Sequence, residues 1–392
     1  MDHSEASLEK QLQGFRLLKQ FLKVLGRVEK RSVLAPSWQE PRRQLQHSQY
    51  LSLFLFGLLN PVVRSMRGLC RASNLASVQR RAHTCAISPA TFSSAQHLLE
   101  VELLREVFHE VARERLKQSP PQPGQVPWRI VDSSVFDVLT RLQWAHHQTH
   151  RGQPQSALRL HVSLDVIADV PVAAQVTTAK TCERKVWREH WQAGCGEVGD
   201  RNFSQDYGLL RLLERRGGFF VLRLREKQAR FLVTEELPVS VADRAAKVVR
   251  QAWGSLGCTP SARLARVRVV WVESRSHEQL MLVTNQSPDQ LTAAQVSQLY
   301  QQRWQVELFF RWLKCILQCR HFLAESETGV AIQLYLALIA AVLIQSQLQR
   351  RPSRRLWEIL QFYFLGLAND RELQAALARE AAEPAAKAAK KS

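Results

Sequence analysis

The sequence predicts a mixed α/β fold in which a helical amino-terminal region precedes a core of strands and helices. Apolar residues recur at helical spacing early in the chain, as at Leu18, Phe21 and Leu25. The Pro- and Gly-containing segment at residues 119–126 then ends this pattern. After it, short apolar or alternating runs appear, as they do in strands. With 392 residues, the chain is long enough for two or three domains.

The amino-terminal region contains a candidate helix-turn-helix. Residues 74–83 form one predicted short helix, and Ser88 and Pro89 supply the N-cap and first position of another. Two short helices joined by a tight turn are typical of DNA-binding motifs. The side chains placed to face DNA are those of Thr91, Ser93, Ser94 and Gln96. A helical bundle with a solvated basic face explains the pattern equally well.

Strands and helices alternate in the rest of the chain. The predicted strands cover residues 128–131, 158–166, 172–178, 219–224, 231–233, 266–272 and 280–283. An amphipathic helix at 205–215 and the Gly217-Gly218 turn precede the fourth strand, and helix returns at residue 291. Residues 334–344 are apolar but too short to span a bilayer, which favours a buried core helix. The basic, low-complexity tail is expected to be disordered.

These elements predict five regions along the chain. They are a helical DNA-binding region at 1–120, a first part of the core at 121–225, a β-rich insertion at 226–285, a second part of the core at 286–350, and a carboxyl-terminal helix with a disordered basic tail at 351–392.

The charge balance indicates a polyanionic partner. The chain has 54 Lys and Arg against 35 Asp and Glu, a net charge of +19. Nucleic acid ranks above an anionic membrane, because no polybasic run adjoins a spanning segment. Seven cysteines without CxxC pairs argue against a disulfide framework and for a reducing cytosol. The amino terminus also lacks the pattern of a signal peptide.

The segment at residues 300–314, YQQRWQVELFFRWLK, carries the most specific signal. On one continuous helix Tyr300, Arg303, Glu307 and Lys314 would project within roughly 60° of one another. The other faces are almost all apolar from Trp304 onward, which predicts a buried helix. A charged stripe on such a helix suits a metal ion at the carboxylate and phosphates at the cations. The alternative is a core helix with an ordinary Arg303–Glu307 ion pair.

The spacing Y-x2-R-x3-E-x6-K resembles the signature of the IS4-type DDE transposases. In this family the Glu is the third metal-binding carboxylate, which here would be Glu307. The resemblance covers roughly residues 40–350 and keeps the order of the elements. It implies an RNase H-like catalytic core interrupted by a β-rich insertion, with an all-helical region before it and helices after it.

Two aspartates match the other carboxylates of the family. Asp132 directly follows the predicted strand at 128–131, and Asp200 opens the segment DRNF, similar to the family's D-R-x-[YF]. Considered alone, each aspartate has a structural explanation: Asp132 would start a turn, and Asp200 would be the N-cap of the following helix. Asp165, inside a predicted strand, is expected to be structural.

The resemblance implies the roles of these residues. Asp132, Asp200 and Glu307 would be catalytic and would hold Mg²⁺, with Mn²⁺ as a substitute, because hard cations prefer oxygen ligands. Tyr300, Arg303, Lys314 and Arg201 would contact DNA. The partners would be double-stranded DNA, at the terminal inverted repeats and the target, and a second protomer in a homodimer. No membrane partner is expected.

The sequence therefore predicts a cytoplasmic, prokaryotic insertion-sequence transposase that associates with the nucleoid when bound to DNA. It would hydrolyse phosphodiester bonds at the element ends and transfer the strands to target DNA in a metal-dependent reaction. Two alternatives share the same fold: a metal-dependent nuclease that stops at hydrolysis, and an inactive DNA-binding relic.

Overall fold

The computed structural model describes residues 14–32, 43–122, 124–137, 145–148, 154–226, 229–257, 263–274, 278–316 and 322–389. The chain divides into two compact units. The first, called the helical unit, comprises Met1–Gln118, Asp137–Ser156 and Phe309–Ser392. The second, called the sheet unit, comprises Ser119–Phe136 and Ala157–Leu308.

The helical unit confirms the predicted helical character of the amino-terminal region. Its described helices before residue 119 are α1 (Gly14–Glu29), α2 (His47–Leu59), α3 (Met66–Ser73), α4 (Ala76–Ala82), α5 (Pro89–Ala95) and α6 (Val101–Lys117). Towards the carboxyl end follow α12 (Glu327–Leu348), α13 (Arg354–Phe364) and α14 (Asp370–Ala389). Helix α14 continues into the segment expected to be a disordered tail, and residues 390–392 lie outside the described part.

Helix α12 forms the core of the helical unit, as predicted for residues 334–344. It is long and apolar enough to cross a membrane, but 89% of its most apolar window is buried inside the protein. Helices α6, α2 and α1 pack against it. Burial on nearly all sides explains why this helix has no polar face. The unit also contains the short strand β2 (His146–Gln148), paired antiparallel with residues 154–156.

The candidate helix-turn-helix region forms two separate helices, α4 and α5. The predicted cap is confirmed: the Ser88 side chain accepts a hydrogen bond from the Thr91 N–H, and Pro89 begins α5. However, α5 has only seven residues, and Gln96 is 6% exposed. Its placement on a DNA-facing surface is therefore wrong. Phe92 lies against the rings of Tyr50 and Phe54, which ties α5 into the bundle.

The sheet unit is built on a mixed sheet. Its strands are β1 (Trp128–Asp137), β3 (Pro154–Asp165), β4 (Pro171–Thr178), β5 (Gly196–Gly199), β6 (Phe219–Arg223), β7 (Phe231–Leu237), β8 (Val248–Leu256), β9 (Leu264–Glu273) and β10 (Gln279–Thr284). Their order is β3-β1-β5-β6-β10-β9-β8-β7, and β4 pairs with β3 off this path. The pairs β1–β5 and β5–β6 are parallel. The pairs β6–β10, β10–β9, β9–β8 and β8–β7 are antiparallel.

Four helices accompany this sheet. They are α7 (Glu183–His190), α8 (Tyr207–Arg215), α9 (Val241–Ala245) and α10 (Ala293–Gln302). A fifth, α11 (Trp304–Ile316), begins in the sheet unit, and its residues from Phe309 onward belong to the helical unit. The apolar face of α8 packs into the core through Leu209, Leu210 and Leu213, beside Phe220 and Leu222 of β6. The mixed α/β class is thereby confirmed.

The strands expected as an insertion continue the same sheet as the core. Thr284 of β10 pairs with Val221 of β6, and β9, β8 and β7 follow outward in antiparallel order. The described cysteines, Cys70, Cys85, Cys182, Cys195 and Cys315, are free thiols. Cys258 and Cys319 lie outside the described residues.

Candidate active site

Parallel pairing brings Asp132 and Asp200 to the same level of the sheet. Ile130 of β1 and Val198 of β5 form the last pair in register, so each aspartate stands two residues beyond that pair. The expectation that Asp132 follows the end of its strand is wrong, since β1 continues to Asp137. The pairing of β1 with β5 ends at Ile130, whereas β1 itself continues past Asp132.

Asp132 is a partly buried carboxylate with two partners. Its Oδ1 accepts a hydrogen bond of 2.8 Å from the Ser133 N–H, and its Oδ2 lies 3.7 Å from Nη1 of Arg303. Burial raises the pKa of Asp132 to about 6, although the Ser133 N–H and Arg303 act in the opposite direction. The negative charges of Asp200 and Glu183 raise this pKa further. Three carboxylates are therefore close enough to interact.

Asp200 orients a turn and does not cap a helix. Its Oδ1 accepts a 2.8 Å hydrogen bond from the Asn202 N–H, and its carbonyl accepts one from the Phe203 N–H. The N-cap of α8 is Asp206, whose Oδ1 accepts from the Leu209 N–H at 2.9 Å. The carboxylate of Asp200 is thus held at the end of β5, beside Asp132. The N-cap alternative for Asp200 is excluded.

The segment from Tyr300 to Lys314 is not one uninterrupted helix. Tyr300 lies in α10, which ends at Gln302, and α11 begins at Trp304. Arg303 lies at the junction, where its N–H bonds to the Tyr300 carbonyl and its own carbonyl accepts from the Val306 N–H. Both bonds span three residues and tighten the chain into a 3₁₀-type turn. The prediction of one continuous helix is therefore wrong, and Glu307 and Lys314 share α11.

Arg303 contacts two carboxylates, that of Asp132 on β1 and that of Glu307 on α11. Its Nη2 donates to Oε1 of Glu307 at 2.7 Å, and its Nη1 lies 3.7 Å from Asp132. The guanidinium carbon is 6.0 Å from the ring centre of Tyr300. Burial acts to lower the pKa of Arg303, but the hydrogen bond to Glu307 and the neighbouring negative charges raise it above its ordinary value. Arg303 thus remains a cation between Asp132 and Glu307.

The donor set suits a hard divalent cation. Asp132, Asp200 and Glu307 offer only carboxylate oxygens, and the charge of Asp200 makes ionisation of Asp132 less favourable, as expected where a cation is needed for neutralisation. Among the described residues, no group of three or more His, Cys, Asp or Glu already lies in an arrangement that could hold a metal ion. Arg303 supplies the positive charge between two of the three carboxylates.

Two predicted DNA contacts lie on accessible positions, and their roles stay predictions. Arg201, directly after Asp200, is exposed, and its carbonyl accepts hydrogen bonds from Ser204 Oγ and Gln205 Nε2. Lys314 is partly exposed on α11, within the helical unit. Asp165 has the structural role expected of it, because its Oδ1 accepts from the N–H groups of Ile167 and Ala168.

One acidic residue of the site was missed by sequence reasoning. Glu183, at the first position of α7, contacts Ser133, Arg159 and Asn202, and its charge acts on Asp132. These partners are 50, 24 and 19 residues away in the chain. No local spacing could have revealed them, and an acid in the first turn of a helix is ordinary.

The region that contains these residues is similar to a known protein family. Residues 127–343, more than half of the chain, match the family model described as the Transposase DDE domain. The chain belongs to the DDE transposase family. The matched segment includes all three predicted metal ligands.

Three relatives of this DDE transposase are named as transposases, two of them for insertion sequence elements. The chain is 27% identical over 271 residues to a protein named transposase y4zB from Sinorhizobium fredii, covering 67% of this chain and 71% of that one. A transposase for insertion sequence element IS5377 from Geobacillus stearothermophilus is 28% identical, covering 56% of each chain. A transposase for element IS4SA from Synechocystis is 21% identical, covering 76% and 80%. The IS4-type resemblance is confirmed.

A structural neighbour was also found. The cryo-EM structure of the piggyBac transposase synaptic complex with hairpin DNA has a TM-score of 0.43 and 10% sequence identity. The match covers 96% of this chain and 81% of that chain.

Proposed function

We propose that this protein is the transposase of an insertion sequence, acting on the ends of its own element. It binds double-stranded DNA at the terminal inverted repeats, hydrolyses phosphodiester bonds there, and joins the freed 3′-hydroxyl to target DNA. The observation that carries the proposal is that Arg303 contacts both Asp132 and Glu307, while the charge of Asp200 acts on Asp132, in a chain of the DDE family. The sheet and helices that hold these residues would form an RNase H-like core, with the strands of residues 226–285 as its insertion.

Asp132, Asp200 and Glu307 would hold Mg²⁺, with Mn²⁺ as a substitute. When bound, the cation supplies electrophilic stabilisation of the phosphate and favours deprotonation of the attacking oxygen. Asp132 lies on β1, Asp200 directly follows the neighbouring parallel strand β5, and Glu307 lies on α11. This placement brings together acids that are distant in the chain, because β1 and β5 are neighbours in the sheet.

Arg303 would exchange partners when substrate arrives. In the structure its guanidinium neutralises Asp132 and Glu307. A planar guanidinium also matches a phosphate through two parallel hydrogen bonds, so a phosphate can replace the carboxylates as its partner once a divalent cation neutralises them. Tyr300, Arg201 and Lys314 complete the proposed DNA contacts, and the net charge of +19 favours association with DNA at low salt. Two protomers would hold the two ends.

The test is the substitution Glu307→Gln. This change keeps the shape of the side chain but removes the charge that a cation requires. We expect cleavage of a labelled duplex carrying the element end to fall at least about a thousand-fold, with DNA affinity changed by less than about threefold, because metal chemistry supplies several kcal/mol to such reactions. Glu235→Gln on β7 is the matched control, since Glu235 is exposed. Undiminished cleavage by the Glu307 variant would remove Glu307 from the active site.

Wild-type products separate the remaining functions. Pre-cleaved element ends incubated with plasmid DNA and Mg²⁺ should yield covalently joined strands. Hydrolysis without joined product would instead favour a nuclease. Binding without either reaction would favour an inactive relic of the same fold. Our proposal expects both cleaved and joined DNA from the wild-type protein.

A further inference from the structure

Glu183 is the centre of a hydrogen-bond network beside the two aspartates. Its Oε1 accepts hydrogen bonds from the Ser133 hydroxyl and from Nη1 of Arg159, the latter at 2.7 Å. Its Oε2 accepts from Nδ2 of Asn202 at 2.6 Å. The side chain is only 14% exposed. Three elements, β1, β3 and the turn after β5, therefore meet at one carboxylate.

Two partners of Glu183 are the residues that orient the aspartates. The backbone N–H of Ser133 donates to Oδ1 of Asp132 at 2.8 Å. The backbone N–H of Asn202 donates to Oδ1 of Asp200, also at 2.8 Å. Glu183 accepts hydrogen bonds from the side chains of Ser133 and Asn202. The backbone amides of the same two residues donate to Asp132 and Asp200. Movement at Glu183 is thus transmitted to both aspartates through one intervening residue on each side.

We propose that Glu183 is a positioning residue that sets the separation of Asp132 and Asp200 for a divalent cation. The inference rests on the proposed function and concerns the same site. A simple ion pair between Glu183 and Arg159 would explain only one of the three contacts. The bonds to Ser133 and Asn202 add nothing to charge balance, but they connect the two strands at the level of the aspartates. Residues that orient ligands in this way commonly alter metal affinity by about ten- to a hundred-fold.

The positioning role depends on the hydrogen bonds and not on the charge of Glu183. A glutamine keeps one oxygen for Ser133 and Arg159. A 180° flip of the Asn202 side-chain amide exchanges its oxygen and nitrogen. The glutamine amide nitrogen can then donate to the Asn202 amide oxygen. Glu183→Gln therefore preserves all three contacts, whereas Glu183→Ala removes them. The two variants distinguish the network from the charge.

The experiment measures Mn²⁺ binding and DNA cleavage by the full-length protein. Mn²⁺ binding without DNA is followed by electron paramagnetic resonance, and cleavage is assayed on a duplex from the DNA flanking the coding region, at increasing Mg²⁺. For Glu183→Ala we expect the Mn²⁺ dissociation constant and the half-saturating Mg²⁺ concentration to rise about ten- to a hundred-fold, while DNA affinity stays within about threefold. Glu183→Gln should stay within about threefold of wild type in every measurement, because it keeps the network.

Two further variants make the outcome decisive. Glu189→Ala removes an exposed carboxylate from the same helix and should match wild type. Asn202→Ala removes one arm of the network and should weaken Mn²⁺ binding in the same direction, even if Glu183→Ala does not fold. Unchanged Mn²⁺ binding in the folded variants, or equal loss in Glu183→Gln and Glu183→Ala, would overturn the inference. Failure of wild-type protein to cleave DNA would instead overturn the proposed function.

Discussion

A buried acid on β5 offers a quantitative test of the structure. Glu197 is 1% exposed, and among the described residues its Oε2 has no hydrogen-bond partner. Burial raises the pKa of Glu197 to about 8, although the charge of Arg129 acts to lower it. The carboxyl group is therefore protonated in the folded protein at neutral pH, since an unpaired buried charge would be costly. Glu197→Gln replaces it with a neutral group of the same shape.

The direction in which pH changes the stability follows from the pKa of Glu197 in the folded and in the unfolded chain. In the folded state the pKa of Glu197 is about 8, whereas its ordinary value is 4.5. Below about pH 4.5 both states are protonated, and the full stability is present. As the pH rises, the unfolded chain ionises first, so stability falls by ~1.36 kcal/mol per pH unit until about pH 8. The whole window corresponds to roughly 5 kcal/mol.

The assay is urea unfolding followed by tryptophan fluorescence at about pH 5.5 and about pH 7.5. Between these values the free energy of unfolding of the wild-type protein should fall by ~2.7 kcal/mol more than that of Glu197→Gln. At the higher pH the variant should also be the more stable protein. Glu189→Gln, at an exposed position, serves as the control and should follow wild type. The same pH dependence in wild type and Glu197→Gln would show that Glu197 is not buried and neutral.

The remaining predictions concern packing. Gly196→Ala should lower stability by ~1–3 kcal/mol, because an added methyl group would lie 2.4 Å from the ring of Trp128. Gly26→Ala should instead stabilise α1 by ~0.5–1 kcal/mol, because no atom lies within 4 Å of the added methyl group. Chemical denaturation measures the change in the free energy of unfolding for both glycine variants. Trp312→Ala should cost ~3–5 kcal/mol, since Trp312 is 6% exposed. Trp304→Ala, at 49% exposed, should cost less than half as much, and equal midpoint shifts in thermal unfolding would contradict this.

The residues predicted for the site carry strong local signals in the sequence. Asp132 follows an apolar run, Asp200 opens a short motif, and Glu307 lies at fixed spacing from Arg303. The strands with alternating or continuous apolar residues were also predicted near their observed positions. These features depend on the chemistry of neighbouring residues, which the sequence displays directly.

Other features depend on contacts between distant residues. Strand β5, which places Asp200, is only four residues long and contains the buried Glu197, so it shows no strand pattern. Strand β8 includes Gly254, where an added methyl would meet the Leu232 carbonyl oxygen at 2.3 Å. The break at Arg303 leaves the apolar pattern of the helices unchanged, because the backbone tightens there without altering the order of side chains. Tertiary packing decided these features.

The continuity of β10 with β6 has a consequence for engineering this protein. A variant trimmed of residues 226–284 would lose β10 as well as β7, β8 and β9, leaving the backbone groups of β6 without their antiparallel neighbour. An uncovered strand of this kind recruits other chains and promotes aggregation. A minimal catalytic fragment must therefore retain the outer strands, or supply a replacement strand that covers the exposed edge.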